Sequence, residues 1–340
     1  MPTWGEILEE LQAPVRDLQQ RIQRGQAPPQ QVIVDFDGVR RKYLRLLFEH
    51  TKRPVILYAA NWTSLKPGLE PDLVTITPED MQGFMEVMHG VPEGSLDLIM
   101  HSPGGSAEAA EALVSYIRSK FTDVRIFVPH AAMSAATMLA CSANRIVMGK
   151  HSFLGPIDPQ FIIQTELGRR SVAAHAIIEQ FEQAKKECSG NPAALSVWVP
   201  ILRQYGPALI VQCNFARELS ESLVAQWLLA YMLAGQNDAE LRAKEIAHQL
   251  ASHADFKSHS RFIDRSRAKA LGLVIDDLES DQTLQDLVLS VFHAASHTFA
   301  TPCVKLIENH LGKAFIKTQQ QLVVVPPQGS FPQPPPMPQR

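Results

Sequence analysis

The sequence predicts an α/β fold built on a parallel sheet, and two observations predict it. Short apolar runs alternate with amphipathic stretches of helical length, the signature of right-handed strand-helix-strand units. Two of these runs also end in turns of glycine and small residues, Ser102-Pro103-Gly104-Gly105-Ser106 and Met133-Ser134-Ala135-Ala136. In parallel sheets the chemistry gathers at the carboxyl ends of strands.

Taken in order, residues 4–24 carry apolar positions at helical spacing (Ile7, Leu8, Leu11, Val15, Leu18, Ile22), ended by residues 25–29. Such a stripe is expected to pack on the chain's own core. A second helix is predicted over 36–50, and residues 53–60 read as a buried strand. Thr77-Pro78-Glu79-Asp80 opens a helix reaching about residue 89, because a cap, a first-turn proline and two carboxylates suit a helix N-terminus. Strands follow at 96–101, 124–128 and 145–148, with helices at 107–121 and 134–143. Beyond Pro159 the pattern turns mostly helical, at 171–187, 193–205, 208–234, 239–252, 266–271, 283–295 and 304–322. The proline-rich end, 326–340, reads as a disordered tail. The expected organisation is a helical arm (1–50), a sheet core (51–160), a helical extension that completes the site and carries oligomer contacts (161–322) and the tail (323–340).

Composition excludes several function classes. Net charge is −3 with 20% charged residues, and the lysines and arginines are spread along the chain, which argues against nucleic-acid binding. Cys141, Cys188, Cys213 and Cys303 show no metal-ligand spacing and read as reduced thiols of a cytoplasmic protein. The acidic N-terminus does not resemble a signal peptide. No segment approaches the roughly 20 apolar residues of a membrane span. His293 and His297 stand four apart, but without a further ligand motif they carry no metal assignment, and no cofactor fingerprint is present.

A serine attacks a carbonyl when a base takes its proton and donors hold the resulting oxyanion. Ser134 begins a predicted helix at a strand end, where a helix-capping role competes with a nucleophilic one. The backbone amides of Ala135 and Gly105 are candidate oxyanion donors, with Gly104 beside them leaving the backbone accessible. Asp158, before Pro159, reads as a turn-fixing residue. His101 and His130 lie near the two turns and are candidates to line the cleft.

The run from Leu98 through Ser102-Pro103-Gly104-Gly105-Ser106, with Met133-Ser134-Ala135-Ala136-Thr137, Ala143-Asn144-Arg145-Ile146-Val147-Met148 and Leu154-Gly155-Pro156-Ile157-Asp158-Pro159-Gln160, resembles the Clp/crotonase-fold serine peptidases. It is most similar to the serine dehydrogenase proteinase branch, near signal peptide peptidase A. The resemblance implies a Clp/crotonase-like parallel sheet and a serine peptidase acting on peptide or protein substrates. Ser134 would be the nucleophile, with Gly105 and Ala135 as oxyanion donors. It also implies a homo-oligomer. The register that supplies a histidine in typical Clp peptidases falls on Ile157 here. A serine-lysine register lands on His175, and a longer spacing lands on Lys185 or Lys186, so the base is expected to be His175 or, second, Lys186. A catalytically inactive assembly or adaptor protein and a crotonase-type acyl-CoA enzyme are the alternatives.

Overall fold

The strands Val55–Ala60, Gly94–His101, Phe121–Val128 and Arg145–Met148 are dominated by apolar residues because helices cover both faces of the sheet they build. The computed structural model describes residues 3–28, 33–64, 66–166 and 168–319. Among them, seven strands form the central sheet in the spatial order Ile275–Asp277, Arg145–Met148, Phe121–Val128, Gly94–His101, Val55–Ala60, Cys303–Asn309 and Ala314–Thr318. The first five run parallel, Cys303–Asn309 pairs antiparallel with Val55–Ala60, and Ala314–Thr318 pairs antiparallel with Cys303–Asn309 at the edge. Two smaller sheets lie outside it, one joining Ala131–Ala132, Phe153–Leu154 and Ile263–Asp264, the other a hairpin of Gln160–Thr165 and Gly168–Ala173.

Alternation along each strand sorts side chains onto two faces. Ile56, Tyr58, Leu98, Met100, Ile126 and Val128 pack with Phe84, Leu113 and Leu139 of the helices Asp80–Met88, Ala107–Arg118 and Ala135–Cys141. Leu57, Ile99, Phe127 and Val147 meet the opposite layer, the helices Trp4–Gln23, Phe36–Thr51 and Gln282–Thr298. The N-terminal arm buries Ile7 and Leu11 in that layer, and the His297 Nε2–H donates to the Trp4 carbonyl at 2.9 Å. No helix among the described residues is long and apolar enough to cross a membrane. Residues 323–340, expected as a tail, lie outside the described residues.

Two sequence expectations give way. The helix predicted over 304–322 is instead the strand pair Cys303–Asn309 and Ala314–Thr318. The reason is that Lys305 and Glu308, three apart, suggest a helix's polar face, yet both are fully buried and ion-paired on opposite faces of the sheet. The helix predicted from 171 begins only at Ala174, because the preceding residues form the second arm of the Gln160–Ala173 hairpin.

Glu308 accepts from Arg40 Nε and, at 2.8 Å, from Arg41 Nε, while Arg40 Nη1 also donates to Thr298 Oγ1 at 2.9 Å. Removing one member of a buried pair strands the other's charge. Glu308→Ala is therefore expected to lower the unfolding free energy by about 3 kcal/mol in urea titration, with the double variant Arg40→Met/Glu308→Leu recovering most of the loss.

Candidate active site

The strands Gly94–His101 and Phe121–Val128 are parallel neighbours, so the segments that follow them emerge side by side. Ser102 N–H donates to Ala131 O at 3.1 Å and Met133 N–H to Ser102 O at 3.0 Å, which zips the two turns together. Ser134 then takes φ 53° and ψ −122°, a conformation costly for a residue with a side chain. Although it stands at the N-cap of the helix Ala135–Cys141, its hydroxyl makes no capping hydrogen bond. A serine held in a strained turn with its hydroxyl uncommitted is the arrangement of an exposed nucleophile.

Gly104 and Gly105 are required by how closely three backbone segments meet. Gly104 has φ +92°, and a Cβ there would lie 2.5 Å from Met133 O and 2.7 Å from Ser134 Cβ. At Gly105, with φ +155°, a Cβ would strike the backbone of Ile76. Ile76 N–H donates to Gly104 O at 2.7 Å, and Ser106 N–H donates to Ile76 O at 3.0 Å, so the turn is clamped from that side as well. The amides of Gly105 and Ala135 keep no acceptor among the described residues, and both residues line the same cleft as Ser134. Two free N–H groups beside a hydroxyl can hold an oxyanion.

A buried ionic cluster fixes the clamp from behind. Lys305 Nζ donates to the Thr75 carbonyl at 2.6 Å and to Asp80 Oδ1 at 2.8 Å, and Tyr58 donates its hydroxyl to Asp80 Oδ2 at 2.8 Å. Thr77 N–H donates to the same carboxylate at 3.1 Å. Burial pushes the Lys305 ammonium down to about 8, against the opposing pull of Asp80. Sequence reasoning passed over Lys305 because it was assigned to a helix.

The cleft measures about 430 Å³. Its apolar wall includes Met138, Ile157, Phe161, Ile162 and Leu219, and its polar lining includes Thr75, Gln160, Ser171 and His259. Of the predicted site residues, Ser134, Gly105 and Ala135 come together there, with Gly104 packed directly behind. The predicted bases do not join them. His175 sits in the first turn of the helix Ala174–Gly190, 3.6 Å from the Glu179 carboxylate and against the His253 ring, and is not among the lining residues. Lys185 is exposed and paired with Glu182 at 3.2 Å, and Lys186 is exposed farther along the same helix. The register that pointed to these positions counts residues from Ser134 without a gap, and the chain places the Gln160–Ala173 hairpin between Asp158 and that helix.

Asp158 does more than fix a turn. It is buried, and its Oδ1 accepts from His259 Nδ1 at 2.7 Å while its Oδ2 accepts from His253 Nδ1 at 2.9 Å and from Gln160 Nε2 at 3.0 Å. His253 and His259 lie six apart but meet one carboxylate, because Lys257 takes a left-handed φ of 62° and turns the chain back after Phe256. No local motif announces that pair in sequence.

His101 and His130 stack on each other, Phe292 meets His101 edge-on and His130 at a tilt, and neither histidine lines the Ser134 cleft. His101 is buried, with its Nδ1–H donating to Ala131 O at 3.2 Å. Among the described residues no group of three or more His, Cys, Asp and Glu side chains is arranged to hold a metal ion.

With this geometry in place, residues 38–189 match the family described as ClpP-like SDH-type serine proteinases. The match covers just under half of the chain. Two uncharacterized proteins of Methanocaldococcus jannaschii, MJ0137 and MJ1495, are 34% identical over 122 residues and 36% identical over 202 residues. These matches cover 36% and 59% of this chain, and the chain spans 43% and 59% of the length of those relatives. Among solved structures, a 1510-N membrane-bound stomatin-specific protease aligns over 59% of this chain and 75% of its own, with 16% identity and a TM-score of 0.34. ClpP1 from Listeria monocytogenes aligns over 71% and 99%, with 13% identity and a TM-score of 0.35.

Burial, with a smaller contribution from His130, drives the His101 pKa from 6.5 down to about 3. The unfolded chain therefore binds a proton that the folded chain refuses between those values, so stability is present above pH 6.5 and is lost as pH falls toward 3. The contribution is on the order of 5 kcal/mol across the interval. Urea titrations at successive pH values should show a shallower acid limb for His101→Phe; an unchanged slope would remove His101 as its source.

Proposed function

We propose that the chain is a serine peptidase in which Ser134 attacks the scissile carbonyl and the Gly105 and Ala135 amides hold the tetrahedral oxyanion. The observation that carries this reading is the conformation of Ser134, strained at φ 53° with its hydroxyl not used as a cap, beside two uncommitted backbone amides in one cleft. A scaffold without catalysis has no use for that strain, which disfavours the inactive adaptor. The match of residues 38–189 to a serine proteinase family supports the same chemistry.

An extended peptide would enter between the glycine turn and the Gln160–Thr165 strand, with Phe161, Ile162 and Leu219 receiving its apolar side chains. Exposed apolar residues on neighbouring helices, Val197 and Phe215 among them, support self-association as a homo-oligomer. The four free cysteines support a reducing compartment such as the cytoplasm.

A fluorophosphonate probe on the intact chain is expected to label Ser134 alone, with peptide hydrolysis falling at least about a thousandfold in Ser134→Ala. Mass spectrometry of the adduct checks the position. Labelling that survives in Ser134→Ala would overturn the assignment.

A further inference from the structure

We propose that His259 is the general base and acid that serves Ser134, and that Asp158 and His253 are its positioning residues; this rests on Ser134 being the nucleophile. The first argument is place. His259 is the histidine that lines the cleft containing Ser134, Gly105 and Ala135. It is a quarter exposed, enough to reach substrate, whereas Asp158 behind it is almost wholly enclosed.

The second argument is the proton inventory of the ring. A carboxylate oxygen only accepts, so the 2.7 Å contact with Asp158 Oδ1 puts the hydrogen on His259 Nδ1. Nε2 is then left with its lone pair and no partner among the described residues, which is the tautomer a base needs. The third argument is rigidity. Asp158 is held by three donors, His259, His253 and Gln160, which together fix its rotamer and aim the imidazole. His253 occupies the second oxygen, and its other side meets His175 at 5.7 Å between ring centroids. His175 is thus behind the carboxylate, separated from the cleft by the residues that would do the work.

The chemistry balances without any further reagent. As Ser134 Oγ forms its bond to the carbonyl carbon, the Oγ–H proton passes to His259 Nε2, and the carbonyl π pair moves onto the oxygen facing the Gly105 and Ala135 amides. Asp158 stabilises the imidazolium so formed. Collapse of the adduct breaks the C–N bond as Nε2–H protonates the leaving amine. Water then attacks the acyl-enzyme, giving its proton to Nε2, and Ser134 Oγ recovers that proton as the acid product leaves. No hydrogen bond joins Ser134 Oγ to a described residue in the free protein, and catalytic contacts of this kind commonly tighten only with substrate bound.

The test is the rate of fluorophosphonate labelling at Ser134, measured for the intact chain and for His259→Ala, His259→Gln, Asp158→Asn, His175→Ala and Lys186→Ala. His259→Gln retains a donor for Asp158 and so guards against a simple folding defect, which thermal melting checks in parallel. Both His259 variants are expected to label at least about 100-fold more slowly, with millimolar imidazole partly restoring His259→Ala. Asp158→Asn should slow labelling and shift its pH midpoint, a readout that a packing role would not move. His175→Ala and Lys186→Ala should label at close to the parent rate. Folded His259 variants that label Ser134 as fast as the parent would overturn the role of His259 while leaving the peptidase reading intact. A loss confined to His175→Ala or Lys186→Ala would transfer the role to that residue. Absence of Ser134 labelling in the parent chain would instead overturn the nucleophile and this proposal with it.

Discussion

The close approach of three backbone segments, with Ser102–Ser106 lying between Ile76 and Met133–Ala135, is the constraint on which the rest of the site depends. Only glycine fits at positions 104 and 105, because any Cβ would meet backbone atoms rather than yielding side chains. The same crowding leaves the Gly105 amide facing the cleft and holds Ser134 in its strained turn. A site assembled from main-chain atoms has little freedom to drift, and precise aim at a developing oxyanion is what such donors require.

Holding that packing requires an anchor at the sheet edge, and the strand Cys303–Asn309 supplies it through two buried charges of opposite sign. Lys305 faces Asp80 and the Thr75 carbonyl, and Glu308 faces Arg40 on the other side of the sheet. Three residues apart on a strand means opposite faces. A slip of one residue would carry the ammonium toward Arg40 and Arg41 and the carboxylate toward Asp80, setting like charges together. Buried ion pairs give little net stability, but here they fix register, and register determines where Thr75 and Ile76 meet the glycine turn.

Much of this was legible in the sequence, and the boundary of legibility has a physical explanation. The parallel core and the two turns that bring Ser134, Gly105 and Ala135 together follow from apolar periodicity and turn chemistry, which are local properties, whereas the nucleophilic role proposed for Ser134 comes from the resemblance. The antiparallel edge was misread because Lys305 and Glu308 are polar residues in a fully buried strand, and their partners, Asp80 and Arg40, lie more than two hundred positions away. The histidine proposed as the base was missed for a related reason. His175 was reached by an ungapped count from Ser134 through Pro159, whereas the chain forms a hairpin ahead of that helix and brings His259 to the cleft through a left-handed turn at Lys257.

The hairpin that precedes His175 also joins two parts of the candidate site. Gln160, its first residue, donates to Asp158, and Phe161 and Ile162, the next two, form part of the cleft wall. One short segment thus touches both the carboxylate bonded to His259 and the cleft. In the proposed mechanism, substrate contact and proton transfer therefore share a mechanical support. The oxyanion turn rests on a different one, the Lys305–Asp80 cluster behind Thr75. The proposed nucleophile and donors follow strands of the central sheet, whereas the proposed base is held through Asp158 and part of the cleft wall stands on the hairpin next to it. A division of that kind lets the wall vary with substrate while the geometry around Ser134 stays fixed.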